Sequence, residues 1–141
     1  MRGVEGRVLQ EGSATGVALR LDEPLSLWGG LDPGTGEIID RRHPQSGAVV
    51  TGRILLMPAG RGSSSSSSVL AEAIRARTAP AAIVMREPDG IVALGALVAA
   101  ELYELAMPVV VVPPDLFDSF EEGSTISIQS GRVSSGPTVL P

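Results

Sequence analysis

The chain has 141 residues and a formal net charge of −5, with 43% hydrophobic, 19% charged and 3% aromatic residues. This length fits one domain with its own aliphatic core, and the acidic balance disfavours a nucleic-acid partner, because cationic side chains bind phosphates. All basic residues are arginine, there is no cysteine, and His43 is the single histidine. Lysine Schiff bases, thiol catalysis, disulfides and a multi-histidine zinc site are therefore excluded within this chain.

The first 52 residues predict strands and irregular turns. Short alternating apolar runs, such as Val17–Leu21, are separated by Gly and Ser. The segment Leu27–Asp40 is rich in glycine and contains Asp32-Pro33-Gly34, which is typical of turns, and residues 41–47 continue this loop.

The second part of the chain changes to alternating strands and helices. Continuous apolar runs of strand length occur at Arg53–Met57, Ala81–Arg86 and Met107–Val112. A helix with one apolar face is expected from Ser63, with Ser63 as its N-cap. A second helix over Ile91–Leu105 is apolar on most sides and is expected to be largely buried.

Residues 53–112 therefore predict a β-α-β-α-β unit, whose right-handed crossovers make the three strands parallel. Thr125–Ser130 alternates like a half-exposed strand, and the tail through Val139 adds another. The expected fold is α/β: a single domain over residues 1–141 with a second strand layer or a partly closed barrel. The longest apolar stretch, Ile91–Ala100, is about half a membrane span, and no leader opens the chain. We therefore expect a cytoplasmic protein without a membrane partner.

A run of six serines follows the first parallel strand, in Gly60-Arg61-Gly62-Ser63 and the residues to Ser68. Composition alone favours a flexible linker. Its position between a buried strand and an amphipathic helix favours an ordered loop instead. Free N–H groups at the helix start, small glycines and the Arg61 guanidinium then predict an anion site.

Two further groups have both a functional and a structural interpretation. Arg86 ends the next strand at the same sheet edge and either faces the same ligand or pairs with Glu87 or Asp89. Trp28, Gly29, Gly30 and Asp32 form an interface or active-site rim with Trp28 as anchor, or a turn in which Trp28 covers the core. Asp40 and His43 are candidate polar contacts across an interface, although a solvated His43 is the simpler expectation.

Two stretches are similar to a known family. They are EPLSLWGGLDPGTGEIIDRRHPQ (Glu23–Gln45) and GRILLMPAGRGSSSSSSVLAEAI (Gly52–Ile74). With the later apolar segments they resemble the small subunit of the aconitase X family, the swivelling domain of aconitase-like dehydratases. The resemblance implies a β/β/α swivelling fold and a heteromer in which a large subunit carries an iron or iron–sulfur centre.

The resemblance also implies roles for residues. Ser63 corresponds to the catalytic base, with Ser64 as the alternative, and Arg61, Gly62, Ser64 and Arg86 are the candidate substrate-binding residues. The implied reaction is the dehydration of a carboxylate or phosphate substrate. The small subunit is expected to be inactive without the large subunit. We expect no metal or cofactor bound by this chain alone.

Two substrates and two non-catalytic roles remain as alternatives. Within the family the substrate is cis-3-hydroxy-L-proline or, as runner-up, mevalonate 5-phosphate. Outside catalysis, the loop belongs to an anion-binding or regulatory module, or the chain is a purely structural interaction domain.

Overall fold

In the computed structural model, residues 3–138 are described, and they build an eight-stranded sheet with three helices and one short turn, Leu27–Gly30, that is labelled α1 although Trp28 and Gly29 have non-helical backbone angles. The strands and helices follow one another as β1 (Gly3–Glu5), β2 (Arg7–Gln10), β3 (Ser13–Arg20), α1 (Leu27–Gly30), β4 (Ile54–Met57), α2 (Ser66–Arg75), β5 (Ala82–Met85), α3 (Gly90–Tyr103), β6 (Val109–Val111), α4 (Pro114–Ser119), β7 (Ser124–Gln129) and β8 (Arg132–Thr138).

The predicted β-α-β-α-β unit is confirmed. Strands β4, β5 and β6 are parallel neighbours, and β3 lies parallel to β4 on the other side. The sheet order is β1-β8-β7-β3-β4-β5-β6-β2, and β7, β8, β1 and β2 pair antiparallel with their neighbours. The expected extra strands therefore continue the same sheet, which curls into a nearly closed barrel. The end of the predicted tail strand, at Val139, lies outside the described residues.

Alternate side chains of the parallel strands face two different cores. Leu55, Met57, Ile83 and Met85 pack under α2 and α3. Their neighbours along the strands, which include Ile54, Leu56 and Val84, point the other way and pack with Ile126 of β7 and Phe117 of α4. Because both faces of β4 and β5 are buried, these strands are continuously apolar in sequence.

The structure corrects two expectations for the helices. Helix α2 begins at Ser66, not Ser63, and its N-cap Ser65 makes no side-chain capping bond. Helix α3 is not largely buried, because Leu94, Leu97 and Leu102 are 49%, 46% and 67% exposed. The segment that follows β6 forms the short helix α4, which was not predicted from the sequence. Among residues 3–138, no helix has the length and hydrophobicity needed to cross a membrane.

Candidate functional site

The candidate site lies where two parallel strands end. Residues 58–65 leave β4 and residues 86–89 leave β5, and the N–H groups of Arg86 and Glu87 donate to the Pro58 carbonyl at 3.2 and 3.0 Å. The carboxyl ends of parallel strands meet at one sheet edge, where open α/β folds bind ligands. We call residues 60–64 the serine loop.

Ser63 is half-buried and holds the turn that leads into α2. Its Oγ accepts the Ser65 N–H at 3.1 Å, and its carbonyl accepts the Ser66 N–H at 3.0 Å. Ser64 is exposed, and its carbonyl accepts the Ser67 hydroxyl at 2.9 Å. The serine run is therefore an ordered turn that continues into a helix, and the hydroxyl of Ser63 already accepts an amide hydrogen bond.

Asp89, in the segment that follows β5, contacts the serine loop. Its Oδ1 accepts the N–H groups of Ile91 and Val92 at 2.8 and 2.9 Å and so caps α3. The same carboxylate fills the space beside Gly60 where a Cβ would stand. Gly60 is therefore required by this internal contact.

A second segment supports the serine loop from the side of the first strands. Leu25 forms a parallel bridge with Gly60, and the Ser26 side chain lies 3.4 Å from where a Cβ on Gly62 would be. Gly62 has φ of +84°, a left-handed conformation that glycine adopts without strain. A cavity of about 10 Å³, the space of one water, lies among these segments. Its polar lining consists of Arg61, Ser63, Ser66 and Asp89, and its other lining residues are glycines and aliphatic side chains.

Ser66 is 5% exposed and joins the candidate rim to the helix. Its Oγ accepts the backbone N–H of Trp28 at 3.1 Å. Sequence reasoning missed this residue, although Ser66 lies four positions before the buried Leu70 and so on the same helical face. That spacing was the available signal.

Replacing Ser66 by alanine is expected to lower the free energy of unfolding by about 1–3 kcal/mol, because the Trp28 N–H loses its acceptor. Urea unfolding of the isolated chain measures this. Ser68→Ala, at an exposed position of the same helix, is the control and should change stability by less than about 0.5 kcal/mol. Equal effects of both variants would contradict the role given to Ser66.

The charged candidates point in different directions. Arg61 is exposed and lies 4.0 Å from the Glu23 carboxylate. Arg86 lies 3.6 Å from Asp118 and 6.0 Å from the Phe117 ring centre. The structure therefore places the Arg86 backbone beside the loop but its side chain on α4, with neither of the two partners considered from sequence. A substrate contact of Arg86 stays a prediction.

The glycine-rich group before the loop is explained locally. Trp28 (φ −72°, ψ 117°) and Gly29 (φ 80°, ψ −13°) have the angles of a type II turn, which needs a residue with positive φ at its third position. A Cβ on Gly30 would lie 3.0 Å from Leu25, and Asp32 Oδ1 accepts the Gly34 N–H at 2.8 Å. Because Trp28 is 59% exposed, it does not cover the core as the structural interpretation required.

His43 is 4% exposed, so the expectation of a solvated histidine is wrong. Its Nε2 lies 3.1 Å from the Glu23 carbonyl, and its Nδ1 accepts the Gln45 N–H at 3.0 Å. Asp40 accepts the Arg42 N–H at 3.0 Å through Oδ1. Both side chains thus organise the loop, and their interface role stays a prediction.

Comparisons with known proteins agree with this architecture. A family model described as aconitase X swivel domain matches residues 3–135. The aconitase X structure from Thermococcus kodakaraensis, described as a holo-form crystal structure, superposes with a TM-score of 0.85 at 30% identity and covers 97% of this chain and 100% of that one.

Two kinds of curated relative match. The cis-3-hydroxy-L-proline dehydratase of Pseudomonas aeruginosa is 53% identical over 103 residues, which are 73% of this chain and 18% of that protein. The phosphomevalonate dehydratase small subunit of Methanothermobacter thermautotrophicus is 44% identical over 96 residues, which are 68% of this chain and 73% of that protein. The chain spans only about a fifth of the first relative's length.

The family match covers nearly the whole described chain, and the superposed structure has the same curled sheet with helices. The chain belongs to the aconitase X swivel-domain family.

Proposed function

We propose that this chain is the small subunit of a heteromeric hydro-lyase of the aconitase X type, acting in the cytoplasm on a small carboxylate or phosphate substrate, with Ser63 as the proton-abstracting base. One observation carries the choice of Ser63. Its Oγ accepts the Ser65 N–H at 3.1 Å, at the start of α2. A hydrogen bond to the charged form and the positive end of a helix both favour an alkoxide.

In the proposed reaction, the Ser63 alkoxide takes a proton from the carbon next to an electron-withdrawing group. The electron pair of that C–H bond forms a C=C bond, and hydroxide leaves from the neighbouring carbon. The hydroxide and the proton now held by Ser63 together make the water that is released, which restores the Ser63 alkoxide. Arg61 and the N–H groups of Gly62 and Ser64 bind the anionic group and orient the C–H bond toward Ser63. Trp28, Gly29, Gly30 and Asp32 form the rim that meets the large subunit.

The iron or iron–sulfur centre is assigned to the large subunit. This chain has no cysteine, and the described residues contain no group of three or more metal-ligating side chains. These residues therefore do not fit such a centre, and the chain contributes the base and part of the substrate site. We expect it to be inactive without the large subunit.

The preferred substrate is cis-3-hydroxy-L-proline. The relative named for that activity is 53% identical, against 44% for the phosphomevalonate dehydratase small subunit. Mevalonate 5-phosphate remains the second candidate because the relative named for that substrate is a small subunit, and this chain matches 73% of its length.

The test is to reconstitute this chain with the larger chain of its own genome that matches the rest of the Pseudomonas aeruginosa enzyme. Turnover of cis-3-hydroxy-L-proline by the pair, and by neither chain alone, is the expected result. Turnover of mevalonate 5-phosphate alone would select the second substrate. A stable pair with an intact metal centre that dehydrates neither compound would favour a non-catalytic anion-binding or structural role.

A further inference from the structure

Helix α3 exposes an apolar surface that the barrel does not use. Leu94, Leu97 and Leu102 are between 46% and 67% exposed. With the half-buried Val98 they recur at i, i+3, i+4 and i+8, so they lie on one side of the helix. We call these four residues the leucine face.

The opposite side of α3 is fully occupied. Val92, Gly95, Ala96 and Ala99 are buried, and a Cβ on Gly95 would lie 2.8 Å from the Ser67 carbonyl oxygen of α2. The two helices therefore pack in close contact, and the leucine face cannot rotate inward. Nothing else among the described residues is available to cover it.

Helix α2, which packs beside α3 on the same face of the sheet, does not have an apolar outer surface. Its exposed side carries the ion pair between Glu72 and Arg75, with 2.7 Å between carboxylate and guanidinium. The hydrogen bond from Arg75 holds the pKa of Glu72 below its usual value. Of two adjacent helices, α2 thus carries a charge pair on its exposed side, whereas the exposed side of α3 carries three leucines and a single charged residue, Glu101.

We propose that the leucine face docks onto the large subunit, an inference that rests on the proposed heteromer. Roughly four-fifths of the Pseudomonas aeruginosa relative lies outside the segment that matches this chain, so that family member holds a large partner surface for this domain. Exposed leucines clustered on one helix side are suited to bury against such a surface.

The charges around α3 favour a large subunit over a second copy of this chain. Residues 87–104 contain four acidic residues, Glu87, Asp89, Glu101 and Glu104, and no basic residue. Both ends of the helix are therefore acidic. Two copies packed through α3 would bring like charges together, whether the two helices run parallel or antiparallel. The matching partner has an apolar centre with basic residues around it.

The test measures association of this chain with the same large subunit by sedimentation velocity and calorimetric titration. Leu97→Glu should raise Kd at least about tenfold, while the melting temperature of the isolated chain stays close to that of wild type because Leu97 is half exposed. Gln129→Glu is the matched control, since it adds the same charge at an exposed position on β7. Glu101→Lys should weaken binding and reduce its dependence on salt.

If Leu97→Glu binds the large subunit as tightly as the wild-type chain does, the docking surface is overturned. An active complex of the wild-type chains would show that the proposed function still stands. An isolated wild-type chain that dimerises, and that Leu97→Glu makes monomeric, would also overturn it in favour of a second copy. Failure of the wild-type chain to bind the large subunit would overturn both proposals.

Discussion

Replacing Ser63 by alanine is expected to lower kcat of the reconstituted dehydratase by about 10² to 10⁴-fold, the usual contribution of a general base. The substrate keeps Arg61 and the loop amides, so KM should change little. Initial rates with the metal content and complex stoichiometry measured in parallel test this. The folded structure should persist, because the lost hydrogen bond is one that Ser63 Oγ accepts within a turn.

Two serine variants serve as comparisons. Ser68→Ala removes an exposed hydroxyl from α2 and should leave turnover unchanged. Ser64→Ala tests the neighbouring hydroxyl. If Ser64→Ala loses turnover while Ser63→Ala retains it, the base is Ser64. If both variants turn over like wild type, neither serine is the base.

Replacing Gly60 by alanine is expected to reduce turnover about 100-fold, the effect of displacing a catalytic group by roughly 1 Å. The added Cβ would collide with the Asp89 carboxylate, which caps α3. Either the serine loop or the cap must then move. Loss of the cap and local overpacking together should lower the free energy of unfolding by about 1–3 kcal/mol, as measured by urea denaturation.

Gly90→Ala is the matched control, because a Cβ there meets nothing within 4 Å. It should leave turnover unchanged and stability within about 1 kcal/mol of wild type. Asp89→Ser in the Gly60→Ala background removes the carboxylate and keeps a capping hydroxyl. The double variant should regain part of the lost turnover and part of the lost free energy of unfolding. Equal behaviour of Gly60→Ala and Gly90→Ala would disprove the contact between the two loops as a determinant of the site.

The central part of the fold was predictable from sequence because the spacing of apolar residues and the composition both change at about residue 53. Continuous β-branched and aliphatic runs of strand length, such as Ala81–Met85, favour a strand buried on both faces. The curling of one sheet into a barrel was not predictable in the same way. It depends on β1 pairing with β8 and β2 with β6, and pairings so distant along the chain leave no local pattern.

The candidate site was predictable to the level of a loop but not to the level of its contacts. Glycines and serines after a strand indicated the serine loop. The serine at which α2 begins was not predictable, because six identical residues carry no periodicity of their own. The role of Asp89 at Gly60 was not predictable either, since a helix-capping signal does not say what the free oxygen of the cap touches.

Burial of single residues was the least predictable property. His43 is buried because the loop folds back on the Glu23 carbonyl, which no local pattern indicates. For α3, an apolar composition on most sides predicted a largely buried helix, and this prediction is wrong because Leu94, Leu97 and Leu102 are exposed. Composition alone does not say which side of a helix the rest of the domain covers.

The sheet order has a consequence for biosynthesis. β1 and β2 are separated by one residue, Gly6, yet they lie at opposite edges of the sheet. Gly3 pairs with Ser134, so the first strand remains without its neighbour until β8 has been synthesised. Barrel closure is therefore expected to be a late step in the folding of this domain, slowed by the entropy of joining distant segments.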